Sequence, residues 1–384
     1  MIIRLILTLS FLVSFRIAQG QVIHDYAGRV VDAETGEPLP YASIYVGEGR
    51  GTLTNIEGDF KYQAEESDIV TFSFIGYGKL RVRATEIPSI VRLKPYMTPL
   101  QEITVLPIDE KGVLKRVIDN LKKDYKKKSE WTRKYFFRAL IEEETATYIA
   151  EAFMNACSIV NIRSAEITSG LQGYDQGTGK DRLLLKSSNI HNLIEVGPMT
   201  ANSYLWSGVV KPLQSYSSMR KYYKPRFEYL TGEDGESLYR IEFPLKDECI
   251  TRLSLKPYIT GTAYVDVETS RLLRFDGSCH NSKVRMGLIS YPTAVDFHME
   301  YDYSKESASV SNMAIQGGNA FSIYRALLFA IEEDKQESVR KKASGSNIVT
   351  ALSQAGYDES LWSKYDIIKR TKEEEKAAFG RNAE

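Results

Sequence analysis

Cysteine and histidine are scarce in this chain of 384 residues, with three of the first and four of the second. Cys157, Cys249 and Cys279 are too few for a disulfide framework and have no metal-ligand spacing. A peptidase-type zinc site needs His and carboxylate ligands at short spacing plus a distant third ligand. His24, His191, His280 and His298 are followed three residues on by Ala27, Ile194, Lys283 and Tyr301, so none begins an H-x-x-E pair. Serine chemistry is equally bare. There is no G-x-S-x-G elbow, and the S-x-x-K match at Ser218–Lys221 has no companion K-T-G. Gly177–Lys180 lacks the first glycine and the following Ser or Thr of a phosphate loop. The acid runs Glu142–Glu144 and Glu332–Asp334 read as solvated faces. No catalytic, cofactor-binding or metal-ligating residue is assigned, and the expectation is a protein that is not an enzyme. A hydrolase with an unrecognised site in the C-terminal part is the alternative.

Charge of one sign is also missing. Fifty basic residues balance fifty acidic ones. Removing the first twenty residues takes away Arg4 and Arg16 and no acid, which leaves a slightly acidic chain and argues against a nucleic-acid partner. Long apolar runs are absent too. Leu5–Phe15 falls below the ~18–20 residues of a spanning helix, so the mature chain is expected to have no transmembrane span.

That short run has a different use. Arg4 supplies a positive n-region, Leu5–Phe15 an h-region, and Ala18-Gln19-Gly20 small residues at the two positions that signal peptidase reads. Residues 1–20 are expected to be a signal peptide cleaved before Gln21, with no nearby cysteine to acylate. The chain is expected to be exported, to the periplasm or the periplasmic face of an outer membrane. Cys249–Cys279 is then the most favoured bridge, and Cys157, in the run A-C-S-I-V, reads as a buried thiol. The 24 tyrosines suit half-buried pleated surfaces; a sugar-binding aromatic platform is the sharper but less favoured reading.

From residue 22 onward strand and turn signals alternate at short intervals. Ala27–Asp32 is a strand that breaks at Ala33–Pro38, and Tyr41–Val46 is a second with Ala42, Ile44 and Val46 on one face. Thr52–Phe60 is a hairpin, with Asn55 able to bond the backbone two residues on and Gly58 suited to a left-handed position. Ile69–Ile75 is apolar enough for both faces to be partly covered, and ends in Gly76-Tyr77-Gly78; residues 91–93 and 103–105 close the set.

These residues resemble the carboxypeptidase-regulatory-like domain, a seven-stranded transthyretin-like β-sandwich of immunoglobulin type. The matching pieces are G-R-V-V-D-A-E-T-G-E-P-L-P-Y-A-S-I-Y-V, G-T-L-T-N-I-E-G-D-F, F-S-F-I-G-Y and L-Q-E-I-T-V. Gly28, Asp32, Thr35, Gly36, Pro38, Gly51, Thr54, Gly58, Phe60, Gly76 and Tyr77 are its fold-defining positions here, and Asn55 stands where the family often has Asp. Such a domain accompanies some zinc carboxypeptidases without being their catalytic part. It also precedes SusC-type TonB-dependent transporters, for whose barrel this chain is too short. The resemblance implies a folding or docking module of the cell envelope.

Residues 106–111 read as a hinge around Pro107. A helix follows, with Val113, Leu114, Val117, Ile118, Leu121 and Tyr125 on one face and lysines opposite. A packed amphipathic helix is favoured over one that binds anionic lipid. Residues 135–141, 148–160, 227–230, 238–243, 262–267, 271–276, 294–303 and 307–315 read as an antiparallel meander, and 165–225 as long loops over the sheet. Residues 321–333 read as helix or strand, Ser346 as the cap of a helix ending near Gly356, and Thr371 with Glu374 as a capping box. Residues 112–384 are thus expected to form an α+β domain, and the whole chain to be mainly β. This part resembles uncharacterised envelope proteins that join the same module to a long antiparallel sheet. Its architecture also resembles the half-barrel of lipoprotein-carrier (LolA-like) proteins. An apolar groove on that sheet is expected to take acyl chains or a partner's apolar segment, unless the protein's own side chains fill it. The partner implied is an envelope protein, a lipid or another apolar ligand, with no cofactor.

Protein recovered from the exported fraction should begin at Gln21. N-terminal sequencing or intact mass checks this, and Met1 retained in a membrane fraction would restore the anchor reading.

Overall fold

The computed structural model describes residues 23–47, 50–97, 108–126, 132–143, 146–175, 197–199, 209–233, 235–254, 256–286, 289–303, 308–318, 322–331, 348–365 and 367–379. Seven strands come first: β1 (Ile23–Asp32), β2 (Ser43–Val46), β3 (Arg50–Leu53), β4 (Asp59–Glu65), β5 (Ile69–Ser73), β6 (Leu80–Arg83) and β7 (Ile90–Leu93). They form two sheets, β4-β1-β7 and β3-β2-β5-β6, packed as a sandwich. Period-two patterning explains the packing. In β4, Phe60, Tyr62 and Ala64 point into the core while Lys61 and Gln63 point out. Ala42, Ile44 and Val46 are likewise fully buried. In the β3–β4 turn Asn55 Oδ1 accepts from the N–H groups of Glu57 and Asp59, both at 2.9 Å. Gly58 there has φ +76°, and a Cβ on it would lie 2.7 Å from the Val30 carbonyl, so no side chain fits. In β5 the alternation is sharper than the sequence suggests: Val70 and Phe72 are buried but Ile69 is exposed. Residues 103–105 lie outside the described residues.

The rest is built on one ten-stranded antiparallel sheet in the order β10-β9-β8-β17-β16-β15-β14-β13-β12-β11. Its strands are β8 (Arg133–Glu143), β9 (Ala146–Ile159), β10 (Asn161–Asp175), β11 (Arg226–Thr231), β12 (Ser237–Glu242), β13 (Tyr258–Asp266), β14 (Leu272–Met286), β15 (Ile289–Asp302), β16 (Ser309–Gly318) and β17 (Ser322–Ala330). Helix α1 (Glu110–Lys126) begins inside the stretch read as hinge, where Asp109 Oδ1 accepts from Gly112 N–H at 2.9 Å, and buries Val113, Leu114, Val117, Ile118 and Leu121. Short helices α2 (Tyr216–Tyr222) and α3 (Asp247–Arg252) precede β11 and β13, and α4 (Ile348–Ala355), α5 (Glu359–Lys364) and α6 (Lys372–Phe379) follow β17.

Several expectations need correction. Residues 165–175, read as loop, belong to a full strand: β10 pairs with β9 from Asn161 to Asp175, and Val160 at φ +60° makes the turn between them. Gly170 and Gly173 hid that strand in the sequence. They leave room for Leu352 of α4 and Ala378 of α6, which a Cβ would meet at 2.6 and 2.9 Å. Of the two readings open for 321–333, residues 322–330 take the strand. Cys249 and Cys279 are free thiols and form no bridge. Cys279 points into the sheet's core, where burial pushes its thiol up to about 12, while Cys249 Sγ on α3 faces the Lys221 carbonyl at 3.6 Å. Cys157 is only partly buried.

One face of the sheet, here called inner, carries Tyr135, Phe137, Phe275, Phe297 and Tyr324, all buried against α1 and against Leu213, Met219 and Tyr223. Where it is described, this face is a packed core and not the expected apolar groove; large aromatic side chains take up the space. The α1 lysines fit the packed reading: Lys115 lies over the Tyr216 ring, and the same helix anchors to the β13–β14 turn through Arg116 Nε and Ser270 Oγ at 3.1 Å.

The opposite, outer face carries charges as well as rings. Arg138 and Glu151, each 1 % exposed, meet at 2.6 Å. Arg138 also donates to Glu374 Oε2 at 3.1 Å and to the Ile368 carbonyl at 2.6 Å, and Arg370 donates to both Glu151 oxygens. Burial works to raise the Glu151 pKa, but the two guanidinium groups outweigh it and hold the carboxyl below its usual range. Thr371 and Glu374 form the capping box seen in the sequence, Thr371 N–H donating to Glu374 Oε2 at 2.9 Å and Glu374 N–H to Thr371 Oγ1 at 3.3 Å. Ser346 lies outside the described residues. Glu151→Gln strands two buried guanidinium groups and should destabilise the fold by roughly 3–5 kcal/mol in urea unfolding; a loss below ~1 kcal/mol would show that the network is solvated.

Candidate functional site

The sandwich sits on the outer face, beside α5 and α6, and the contact between the two parts is where polar chemistry gathers. Leu53 and Tyr41 of the sandwich pack with Phe136, Phe329 and Ile368 of the C-terminal part, and Tyr96 packs with Leu230 and Leu238. Burial, with the charge of Glu374, pushes the Tyr41 phenol up to about 12. Main chain also joins the two: Met97 and Thr231 exchange N–H···O bonds of 3.1 and 3.0 Å.

Under the sandwich lies a buried charge cluster. Cross-strand register places Asp276 of β14 opposite His298 of β15, and Arg274 opposite Glu300. His298 Nδ1 is 2.7 Å from Asp276 Oδ1, and Nε2 is 3.6 Å from Glu300 Oε1, an ion-pair distance too long for a hydrogen bond. Arg274 completes the set: Nη2 meets Asp276 Oδ2 at 2.8 Å, Nη1 donates to the Ile75 carbonyl at 2.8 Å, and the guanidinium lies 4.0 Å from the Phe74 ring centre. Tyr41 and Phe74 of the sandwich flank the imidazole, each with ring centroids 5.9 Å away. Burial lowers the His298 pKa, but Asp276 and Glu300 outweigh it, so the group stands above an ordinary histidine. Asp276 is held far below the usual carboxylate range: burial opposes this, and Arg274 with His298 prevails.

This cluster does not look like acid–base machinery. A serine nucleophile needs its hydroxyl on the imidazole, whereas Ser278 Oγ donates to Asp296 Oδ1 at 2.5 Å and His298 Nε2 faces Glu300. The other marked segments are no closer to a site. Ser218–Lys221 lies in α2, with Lys221 over the Tyr222 ring, Glu142 pairs with Arg325, and 177–180 and 332–334 lie outside the described residues. Among the described residues no three His, Cys, Asp or Glu side chains are grouped to hold a metal ion. No described helix is long and apolar enough to cross a membrane.

The motif residues sit within the sandwich. Asp32 accepts from Glu34 and Thr35 N–H at 2.7 and 2.9 Å and from the Tyr77 hydroxyl at 2.9 Å. Gly36 N–H returns to the Asp32 carbonyl, and Pro38 bridges Val31. Thr54 Oγ1 donates to the Leu39 carbonyl at 2.6 Å and accepts from Ala42 N–H. Gly51 pairs with Tyr45, while Gly28 pairs with the buried Phe60. Gly76 is capped by Tyr264 and accepts from Tyr96 N–H at 2.8 Å. They fix the two turns, 33–37 and 76–78, that border the junction.

Among the described residues two wide openings lie along that junction, besides a narrow one of about 20 Å³ by Arg138. One, of about 500 Å³, has Pro40, Tyr41 and Ile56 on one side and Asp276, Ser278 and Asp296 on the other. Its polar floor is largely self-satisfied: Asp276 by Arg274 and His298, Asp296 by Ser278. The other, of about 910 Å³, lies between residues 78–97 of the sandwich and the β11–β12 turn. Leu80, Leu93, Pro95, Tyr96 and Met97 give it an apolar lining, and Lys79, Arg92, Lys94, Glu34 and Glu233 give it charge. That volume suits a small-molecule site. Sequence reading missed it because its walls come from stretches more than 130 residues apart; the local signal was the cationic alternation around Leu80 and Leu93.

The His298 cluster sets a pH dependence. A raised histidine pKa stabilises fully below about 6.5 and is lost as pH rises through the folded value; the lowered Asp276 pKa stabilises above about 3.8. Urea stability should therefore be highest between these limits and decline on the alkaline side, and His298→Gln should flatten that decline. An unchanged alkaline slope in the variant would remove His298 from the account.

No curated protein matches the chain. Among solved structures it is similar to a DUF1329 family protein from Desulfovibrio piger ATCC 29098, at 12% identity over 57% of this chain and 92% of that one, with a TM-score of 0.20. It is also similar to MucB in complex with MucA(peri), at 8% identity over 60% of this chain and 100% of that one, with a TM-score of 0.18. Scores this low carry no argument about fold or function. The sandwich fares differently: residues 26–105 match the family described as the CarboxypepD_reg-like domain, a match that ends before the first residue of α1.

Proposed function

We propose that this chain is a non-enzymatic binding or assembly protein of the cell envelope, exported to the periplasm or the periplasmic face of an outer membrane. Its ligand seat is the opening of about 910 Å³ between the sandwich and the β11–β12 turn. That opening carries the reading. An apolar lining with a few charged groups at its edge is the usual composition of a binding site, and it lies where a regulatory-like module meets a second folding unit. Ser278 bonds Asp296 rather than an imidazole, and the His298 imidazole is held by Asp276 through Nδ1 with Nε2 facing Glu300.

Met97 is 56 % exposed at this opening and pairs with Thr231 only through main chain, so Met97→Trp should fill the space with little cost to stability. Mature protein isolated from envelope fractions should carry a bound species by native mass spectrometry, and Met97→Trp should lose it. Identical bound species in both proteins would place the seat elsewhere.

A further inference from the structure

We infer that the opening between the sandwich and the β11–β12 turn takes an amphiphilic anion: an aliphatic chain ending in a carboxylate or phosphate, gripped by Arg92. This rests on the binding reading above and names the ligand class for the same site.

The apolar half of the argument is the lining. Tyr96 borders the opening, and Leu80, Pro95 and Met97 extend that surface outward, while the Leu93 side chain packs into the sandwich core. Met97, at 56 % exposed, leaves its thioether chain in water in the free protein. Covering a methylene chain here removes apolar area from water on both partners, at about 25 cal/mol per Å². A purely polar ligand would gain none of this.

The charged half is one cation without a partner. Lys79, Arg92 and Lys94 line the opening with Glu34 and Glu233, and Glu236 stands beside them. Lys94 already meets Glu233 at 3.0 Å, but that pair is 70 % and 83 % exposed and contributes little. Lys79 meets Glu236 at 2.6 Å, and Glu236 also takes the Tyr96 hydroxyl at 2.9 Å, so this lysine is held in place. Arg92 is different. Its guanidinium makes no ion pair among the described residues, and its planar fork suits carboxylate and phosphate oxygens in two-point contact. The Glu34 carboxylate, on the turn across the opening, disfavours anions with charge spread along the chain and so favours a single charged end.

Calorimetry on the mature full-length protein, with twelve-carbon probes below their micelle concentrations, tests this. Laurate or dodecyl phosphate should bind saturably, and dodecanol and dodecylammonium at least about tenfold more weakly, as expected for one charge-assisted contact. Arg92→Gln should weaken anion binding about tenfold and leave dodecanol unchanged. Laurate alone would mark a fatty-acid-like ligand and dodecyl phosphate alone a phospholipid-like head; either supports the inference. Equal affinity for dodecanol or dodecylammonium, unaltered anion affinity in Arg92→Gln, or no binding by any probe would overturn it. If Met97→Trp abolishes dodecanol and laurate binding alike while Arg92→Gln changes nothing, the seat stands and the anion falls. If Met97→Trp retains full laurate binding, the seat falls as well.

Discussion

Charge taken out of water on one face of a large sheet is the constraint on which this architecture depends. Arg138, Glu151, Arg274, Asp276, His298 and Glu300 all rise from the outer face of the ten-stranded sheet. Each would be costly to bury unpaired. Cross-strand neighbours supply the first partners, since opposite charges face each other directly in an antiparallel ladder. They do not supply all of them. Arg138 needs Glu374 and the Ile368 carbonyl, and Arg274 needs the Ile75 carbonyl and the Phe74 ring. The pieces that cover the face, the sandwich and the 359–379 helices, are therefore specified by particular hydrogen bonds as well as by apolar area.

Much of this was legible one element at a time. Alternation in D-F-K-Y-Q-A-E marks β4, the α1 stripe marks its buried face, and T-x-x-E at 371–374 marks a cap that the folded chain forms. The sequence reading went astray where a residue's environment comes from far along the chain. β10 carries two glycines because α4 and α6 press against it, and glycine in isolation reads as loop. In the same way, no spacing rule pairs Asp276 with His298, because their contact is a matter of strand register across a turn. The packed inner face defeated the groove expectation for a related reason: pattern gives which side of a strand is apolar, not what fills the space beyond it.

The junction opening is the extreme case. Its walls are residues 33–34, 78–80 and 92–97 of the sandwich stretch and the turn 231–233 far along the chain. Each wall alone is an ordinary polar turn or strand edge. Only their apposition, fixed by the Met97–Thr231 pair and by Lys79 and Tyr96 on Glu236, makes a lined cavity. The motif glycines and Asp32 act one step back, setting the turns that present these walls.

The order of the covering pieces along the chain has a consequence for biogenesis. The sandwich, residues 23–97, precedes every strand of the sheet, while α5 and α6 follow all ten. In a chain that emerges from its N-terminus, more than two hundred residues separate Arg138 and Glu151 from Glu374 and Arg370. Until those residues arrive, the β8–β9 end of the sheet has an uncovered, charged and aromatic side, which only the last helices close.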